Sequence, residues 1–164
     1  KANPNIFSIF GQISMIELAR EYLELLPSVN EIFITHEYRN NLGLERNGYL
    51  HYDRYHTFKY MLYLTDCDKE SGAFGCVPES HILGKGLRES DWGSTNDYGG
   101  VKNRILIDHP ELNFSEDDIV YVDGKAGTLI IFDTDTFHMG GIIEDGKERM
   151  IIRSHFHDGS RFNR

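Results

Sequence analysis

The chain has 164 residues, 40% of them hydrophobic, which suffices for one compact core and is too little for two ordinary domains. Lys and Arg number 17 against 26 Asp and Glu, a formal net charge of -9 with a pI near 5.3, and no basic cluster interrupts the acidity. Nucleic acid is therefore excluded as a partner, since neutralising phosphates requires clustered cations. No apolar run approaches the roughly 18 residues that cross a bilayer, so no membrane partner is expected either. No basic and then apolar leader opens the chain, and Cys67 and Cys76 read as free thiols, so a soluble protein in a reducing cytoplasm is expected. The chain opens on Lys1 rather than Met, which suggests that native sequence precedes it.

In chain order, Met15, Ile16, Leu18, Ala19, Tyr22, Leu23, Leu25 and Leu26 recur at helical spacing and predict a helix over 14–26. Ser14 and Glu17 read as its capping box and Pro27 as its stop. Beyond Pro27 the sequence changes to short β-branched and aromatic runs, predicting strands at 31–36, 48–52, 58–65, 73–77, 118–122, 128–133 and 149–157. Asp123-Gly124 and Asp145-Gly146 fall between such runs and are hairpin signals. From 82 to 116 the pattern weakens around Gly84, Gly86, Trp92 and Pro110, so an irregular insertion or lid is expected there. The whole is mainly β: one domain over 1–164, with a flanking helix on a 31–157 core built as a sandwich or barrel, a jelly roll being one closed solution.

The chemistry centres on His51-Tyr52-Asp53, followed much later by His138. Alternation along an extended chain puts residues 51 and 53 on one face, where a histidine from a distant strand can complete a three-ligand set. Two imidazoles and one carboxylate on one face, with the opposite positions open, suit non-haem Fe(II). With 8 histidines and 26 acidic residues in the chain, an H-x-D triplet alone carries little weight. Its company matters more. Gly127-Thr128-Leu129-Ile130-Ile131-Phe132 leads towards His138, and Arg149 follows that histidine by 149 − 138 = 11 residues.

Four motifs in this order resemble the phytanoyl-CoA dioxygenase family, over about residues 48 to 156. They are the H-x-D triplet with the following run from Tyr60 to Asp68, then Ser71-Gly72-Ala73-Phe74-Gly75-Cys76-Val77-Pro78-Glu79-Ser80-His81, then Ala126-Gly127-Thr128-Leu129-Ile130-Ile131-Phe132 before the distal His138, and finally Arg149. The resemblance implies a double-stranded β-helix of cupin-like, jelly-roll form. It implies a 2-oxoglutarate-dependent dioxygenase with His51, Asp53 and His138 as Fe(II) ligands and catalytic centre. Arg149 is then the partner of the remote carboxylate of 2-oxoglutarate, which suits a planar and permanently charged fork. The implied reaction takes O2 and a small-molecule substrate, releases succinate and CO2, and hydroxylates, since relatives that halogenate lack the carboxylate that Asp53 supplies. Glu79 departs from the family, which has Gly at that point of the turn.

Lys59 and Met61 should face one side of their strand. Lys59 is a second candidate contact for 2-oxoglutarate, with a snorkelling rim lysine as the alternative. Arg153 and His155 share the face of Arg149 by alternation and could touch an anionic substrate at the mouth of the pocket. His81 is expected to fix its turn rather than bind metal. The rival from another class is a cupin-like metal domain without 2-oxoglutarate activity, an isomerase or a sensor, and Arg149 discriminates between them.

Overall fold

A computed structural model of the chain describes residues 8–24, 29–39, 48–91, 112 and 114–157. The strands, in chain order, are β1 (Val29–Tyr38), β2 (Phe58–Tyr63), β3 (Phe74–Cys76), β4 (Val120–Val122), β5 (Leu129–Asp133), β6 (His138–Gly140) and β7 (Glu148–His157). They form two antiparallel sheets, one in the order β1-β7-β2-β5 and the other β4-β3-β6. From β4 to β7 every connection crosses from one sheet to the other, the winding of a double-stranded β-helix.

That winding corrects the reading of the two Asp-Gly pairs. Asp123-Gly124 joins β4 to β5 and Asp145-Gly146 joins β6 to β7, so each leads to the opposite sheet and closes no hairpin. Both still mark reversals. Gly124 exchanges both backbone hydrogen bonds with Cys67, at 2.7 and 2.8 Å, and Lys147 N donates to Glu144 O at 3.1 Å around Gly146 at φ 77°. Local turn chemistry specifies that the chain bends, not which strand it pairs with afterwards.

Two further expectations change. Residues 48–52 form no strand; only His51 makes a bridge, to His138. The first part of the supposed irregular segment is helix α2 (His81–Asp91), whereas Trp92, Tyr98 and the rest of 92–111 lie outside the described residues. Glycine misled here: Gly84 is required not by a loop but by contact, since a Cβ there would stand 1.8 Å from the carbonyl oxygen of Asp135.

Helix α1 (Ile13–Leu23) lies across the outer face of β2, as the sequence implied, although shorter than 14–26. No side chain caps it: Gln12 stands at the N-cap, and the Ser14–Glu17 box does not form. Leu25, Leu26 and Pro27 lie outside the described residues. Ala19 packs with Phe58, Tyr60, Ile152 and Phe156, Tyr22 stacks on Phe58 at 4.7 Å, and Tyr60 Oη donates to Met15 O at 2.7 Å. Each such ring contributes about 1.5–3 kcal/mol by leaving water. The helix meets the sheet along Met15, Ala19 and Leu23, a line of i, i+4, i+8, so the other half of its apolar stripe, Ile13 and Leu18, stays exposed.

The same alternation sorts β7. Ile152 and Phe156 face α1, while Arg149, Ile151 and Arg153 turn inward between the sheets. Register sets their neighbours: Arg149 lies opposite Glu37 of β1, and Arg153 lies between Phe33 of β1 and Met61 of β2.

Candidate metal and cosubstrate site

His51 and His138 face each other across an isolated antiparallel bridge. Each backbone N–H donates to the other's carbonyl, at 2.9 and 2.8 Å, which holds the two imidazoles with centroids 4.4 Å apart. Asp53 is fixed by its own N–H on Thr134 O at 2.9 Å, and Tyr52 between the two ligand candidates is buried among Leu50, Phe137 and Met139. The alternation inferred for the triplet thus survives without a ladder. Asp53 Oδ1 stands 3.7 Å from His51 Nε2 and 3.6 Å from His138 Nε2.

The donor set fits a divalent metal. His51 Nδ1–H donates to Tyr49 O at 3.0 Å and His138 Nδ1–H to Thr136 O at 2.7 Å, so both Nε2 lone pairs face Asp53 Oδ1. Lys59 Nζ lies 2.5 Å from the other oxygen, Oδ2, and leaves Oδ1 to the shared space. Cis ligands with metal bonds of ~2.0–2.2 Å stand about 3 Å apart, so closing this trio takes shifts of less than about 1 Å. Electrostatics agree. Burial pushes the His138 imidazole down to about 3 and lowers His51 too, keeping both rings neutral as ligands must be. Burial would raise the Asp53 carboxyl, but the Lys59 ammonium on its Oδ2 holds it well below the carboxylate range.

The triad opens on a cleft of about 450 Å³ between the sheets, solvent at its mouth included. One wall brings Lys59, Met61, Phe132, Arg149, Ile151 and Arg153 from the larger sheet, and the other brings Phe74, Met139 and Gly140. Lys59 and Met61 share the inner side as alternation required, and Lys59 is only 6% exposed, so it is no rim lysine. Arg149 is 3% exposed, and its guanidinium is already engaged: Nε donates to Glu37 Oε2 at 2.9 Å, Nη2 donates to the same oxygen, and Nη1 donates to Gly72 O. Gly72 sits at φ 83° with no room for a Cβ, which lets its carbonyl meet Arg149. Glu37 was not legible in the sequence, because only register places it opposite Arg149. Arg153 is different. Among the described residues no carboxylate lies within ion-pair distance of it, its Nε has no hydrogen-bond partner, and burial lowers its pKa.

A second cluster, His56, Asp133 and Asp135, also brings potential ligand atoms within 4.8 Å of one another. Its oxygens are occupied. Arg88 of α2 grips Asp135 through Nε at 2.6 Å and Nη2 at 2.9 Å. Asp133 accepts from Tyr22 Oη at 2.6 Å, from His56 Nε2 at 3.2 Å and from Asp135 N at 2.7 Å. The turn that carries His138 is held from its other side by Ser80, whose Oγ accepts from Phe137 N at 2.8 Å and donates to Val77 O at 2.7 Å. In the Pro78–His81 turn itself it is Ser80, through that bond to Val77 O, that closes the loop, while His81, expected to fix it, is exposed.

The profile of the family described as Phytanoyl-CoA dioxygenase (PhyH) matches residues 44–151, the stretch that carries the triad, Lys59 and Arg149. The chain belongs to that family. No curated protein sequence matches this PhyH-family chain. Solved structures do resemble it. The epimerase SnoN, in complex with Fe3+, alpha ketoglutarate and nogalamycin RO, aligns at 15% identity and TM-score 0.63 over 96% of this chain and 60% of that one. HygX from Streptomyces hygroscopicus, with nickel, 2-oxoglutarate and hygromycin B bound, aligns at 13% identity and TM-score 0.56 over 94% and 65%. AviO1 from Streptomyces viridochromogenes Tue57 aligns at 16% identity and TM-score 0.53 over 92% and 60%. The likeness is one of fold, a cupin-like double-stranded β-helix, and the chain spans about three fifths of the length of AviO1 and SnoN.

Proposed function

We propose that this PhyH-family chain is the core of an Fe(II)- and 2-oxoglutarate-dependent oxygenase that hydroxylates a small molecule, with His51, Asp53 and His138 as iron ligands and Arg149 and Lys59 as cosubstrate contacts. One observation carries the reading: two imidazoles turned by backbone carbonyls so that both Nε2 atoms face one carboxylate oxygen, at the end of a cavity walled by cations. Relatives in fold support the cofactor pair, since SnoN is described with Fe3+ and alpha ketoglutarate and HygX with nickel and 2-oxoglutarate. The metal, when bound, supplies the open positions and the redox change that couple decarboxylation of 2-oxoglutarate by O2 to oxidation of a substrate.

The chain's own residues do the rest. The Tyr49 and Thr136 carbonyls orient the imidazoles, and Lys59 keeps Asp53 ionised with one oxygen turned to the shared space. Arg149, permanently charged and buried in the wall of the cleft, answers a second carboxylate, while Phe74, Phe132 and Ile151 keep water from the reacting atoms. A cytoplasmic location fits the two free cysteines; among the described residues no helix is long and apolar enough to cross a membrane.

A specific observation favours a second reading, a metal-binding cupin domain that does not use 2-oxoglutarate: Glu37 already fills the fork of Arg149. Succinate release with Fe(II), 2-oxoglutarate and O2 over a panel of small molecules tests the choice. Substrate-stimulated succinate with one atom of labelled dioxygen in the product is the expected result. Succinate without incorporated oxygen replaces hydroxylation by an epimerisation or desaturation. No binding of 2-oxoglutarate overturns the oxygenase reading.

A further inference from the structure

Charge in the cleft does not balance. Lys59, Arg149 and Arg153 line it, and among the described residues two carboxylates answer them: Asp53 beside Lys59 and Glu37 beside Arg149. With Asp53 taken by Lys59 and Glu37 by Arg149, Arg153 is the cation left without a carboxylate partner among the described residues. A divalent metal and a dicarboxylate cosubstrate add charges that cancel. The surplus therefore persists in the loaded site, whichever arginine the cosubstrate meets.

Position says what the surplus is for. Arg149 is shut away at 3% exposure, whereas Arg153 is half-buried and reachable from the cleft. Its Nε has no hydrogen-bond partner among the described residues, and a buried guanidinium donor left open carries an uncompensated desolvation cost that an arriving acceptor would relieve. Its cross-strand neighbours are apolar: Met61 on one side, and on the other Phe33, which is 40% exposed although its register puts it on the same face. A lone cation flanked by an aromatic ring and a thioether suits an acid with a carbon body rather than an inorganic anion.

We propose that the substrate oxidised at this site is an organic anion, its acidic group received by the Arg153 guanidinium and its apolar body lying along Phe33 and Met61. This rests on the oxygenase reading and adds the substrate's class to it. Arg153 then acts as a specificity-determining residue, binding the substrate through two parallel N–H groups where a carboxylate is presented.

The test uses protein loaded with Mn(II) and 2-oxoglutarate, titrated calorimetrically with hexanoate and with the neutral hexanamide. Wild type should prefer hexanoate. Arg153→Met should weaken hexanoate by about 10- to 100-fold, the effect of losing a charge-assisted hydrogen bond, and leave hexanamide and 2-oxoglutarate unchanged. Arg153→Lys should restore part of the preference. If wild type does not bind 2-oxoglutarate, the oxygenase reading falls and this proposal with it. If wild type binds 2-oxoglutarate and Arg153→Met does not, Arg153 belongs to the cosubstrate and the proposal alone is overturned. Equal hexanoate affinity in the two proteins, or a wild type that binds hexanamide as well as hexanoate, also overturns it. Should Arg153→Met fail to fold, judged by its melting curve, Arg153→Lys and the wild-type preference decide.

Discussion

Two clusters of histidine and carboxylate lie one turn of chain apart, and their difference shows which of them keeps its donor atoms open to a metal. His51, Asp53 and His138 gather as closely as His56, Asp133 and Asp135. In the first, each imidazole spends its Nδ1–H on a backbone carbonyl and one carboxylate oxygen stays open. In the second, Arg88, Tyr22, His56 and a backbone N–H occupy the carboxylates. The pKa directions separate in the same way. Burial drives His138 neutral, whereas the hydrogen bond to Asp133 raises His56 towards the cation. Proximity of ligand-type residues is thus weak evidence, and the fate of each lone pair is strong evidence.

The largest expected effect breaks the comparison if it is misread. His138→Ala, or Asp53→Ala, should reduce Mn(II) or Fe(II) affinity by more than about 100-fold, beyond the 10- to 100-fold typical of removing an outer partner. His56→Ala should leave metal affinity within a few-fold of wild type. Metal titration by calorimetry decides, and a strong loss in His56→Ala would move the centre to the second cluster.

Next comes Arg149→Ala. Removing one member of a buried charge pair costs ~2–5 kcal/mol, so 2-oxoglutarate should bind about 30-fold to several thousandfold more weakly while the metal still binds. Glu37 complicates the fold, not the logic. The substitution strands its carboxylate, so Arg149→Ala should also melt lower, and adding Glu37→Gln should recover stability without recovering 2-oxoglutarate. Equal 2-oxoglutarate affinity in wild type and Arg149→Ala would remove Arg149 from the cosubstrate site.

How far the sequence reached follows the same division. The triad was legible because H-x-D works through alternation, which holds even where no ladder forms, and because four motifs in fixed order locate His138 and Arg149. The inner placement of Lys59 and Arg153 followed from the period of two. The clamp was not legible: Arg88 meets Asp135 only because α2 packs its Gly84 against that carbonyl, and glycines at 84 and 86 read as loop. No steric contact accounts for Gly86. β6 escaped because His138-Met139-Gly140 holds no β-branched residue and no Phe, Tyr or Trp, and runs into a second glycine, unlike the equally short β3 and β4. Glu37 and the cross-sheet turns depend on pairing partners distant in sequence, which local chemistry does not encode.

Arg88→Ala should destabilise the fold by about 3 kcal/mol, since Asp135 is 1% exposed and would keep its charge without its partner. Metal affinity should hold, and urea unfolding of the metal-free protein measures the loss. The pH dependence then sharpens the contrast in sign. The folded pKa of His138 lies at about 3, below its unfolded value of about 6.5, so its contribution is complete above pH 6.5 and is lost as pH falls towards 3. Asp53, also depressed, adds to the loss below about pH 3.9. His56 is raised, so its contribution is complete below its unfolded value and fades as pH rises through its folded one. His56→Ala should therefore be most costly in acid and nearly silent at alkaline pH, in urea midpoints followed across pH. A cost that grew with pH would contradict a cationic His56 in the clamp.

The smallest effect concerns the turn between the clusters. Glu79 adopts φ 63°, one of two non-glycine residues at positive φ among those described, and it stands where the family has Gly. A side chain in the left-handed region costs roughly 1–2 kcal/mol. Glycine would remove that strain but gives back roughly 0.5–1 kcal/mol in unfolded-state entropy. Glu79→Gly should therefore stabilise the chain by about 0.5–1 kcal/mol, or a few degrees in Tm. The turn's other contacts do not use the Glu79 side chain, which is exposed: Ser80 Oγ still holds Phe137 N, and Ser80 O still receives Gly84 N at 2.9 Å. Metal and 2-oxoglutarate affinities should stay unchanged. If Glu79→Gly instead weakened either ligand at equal or greater stability, the Glu79 carboxylate would have a role in binding that its exposed position does not suggest, and the strain at φ 63° would be there to present it.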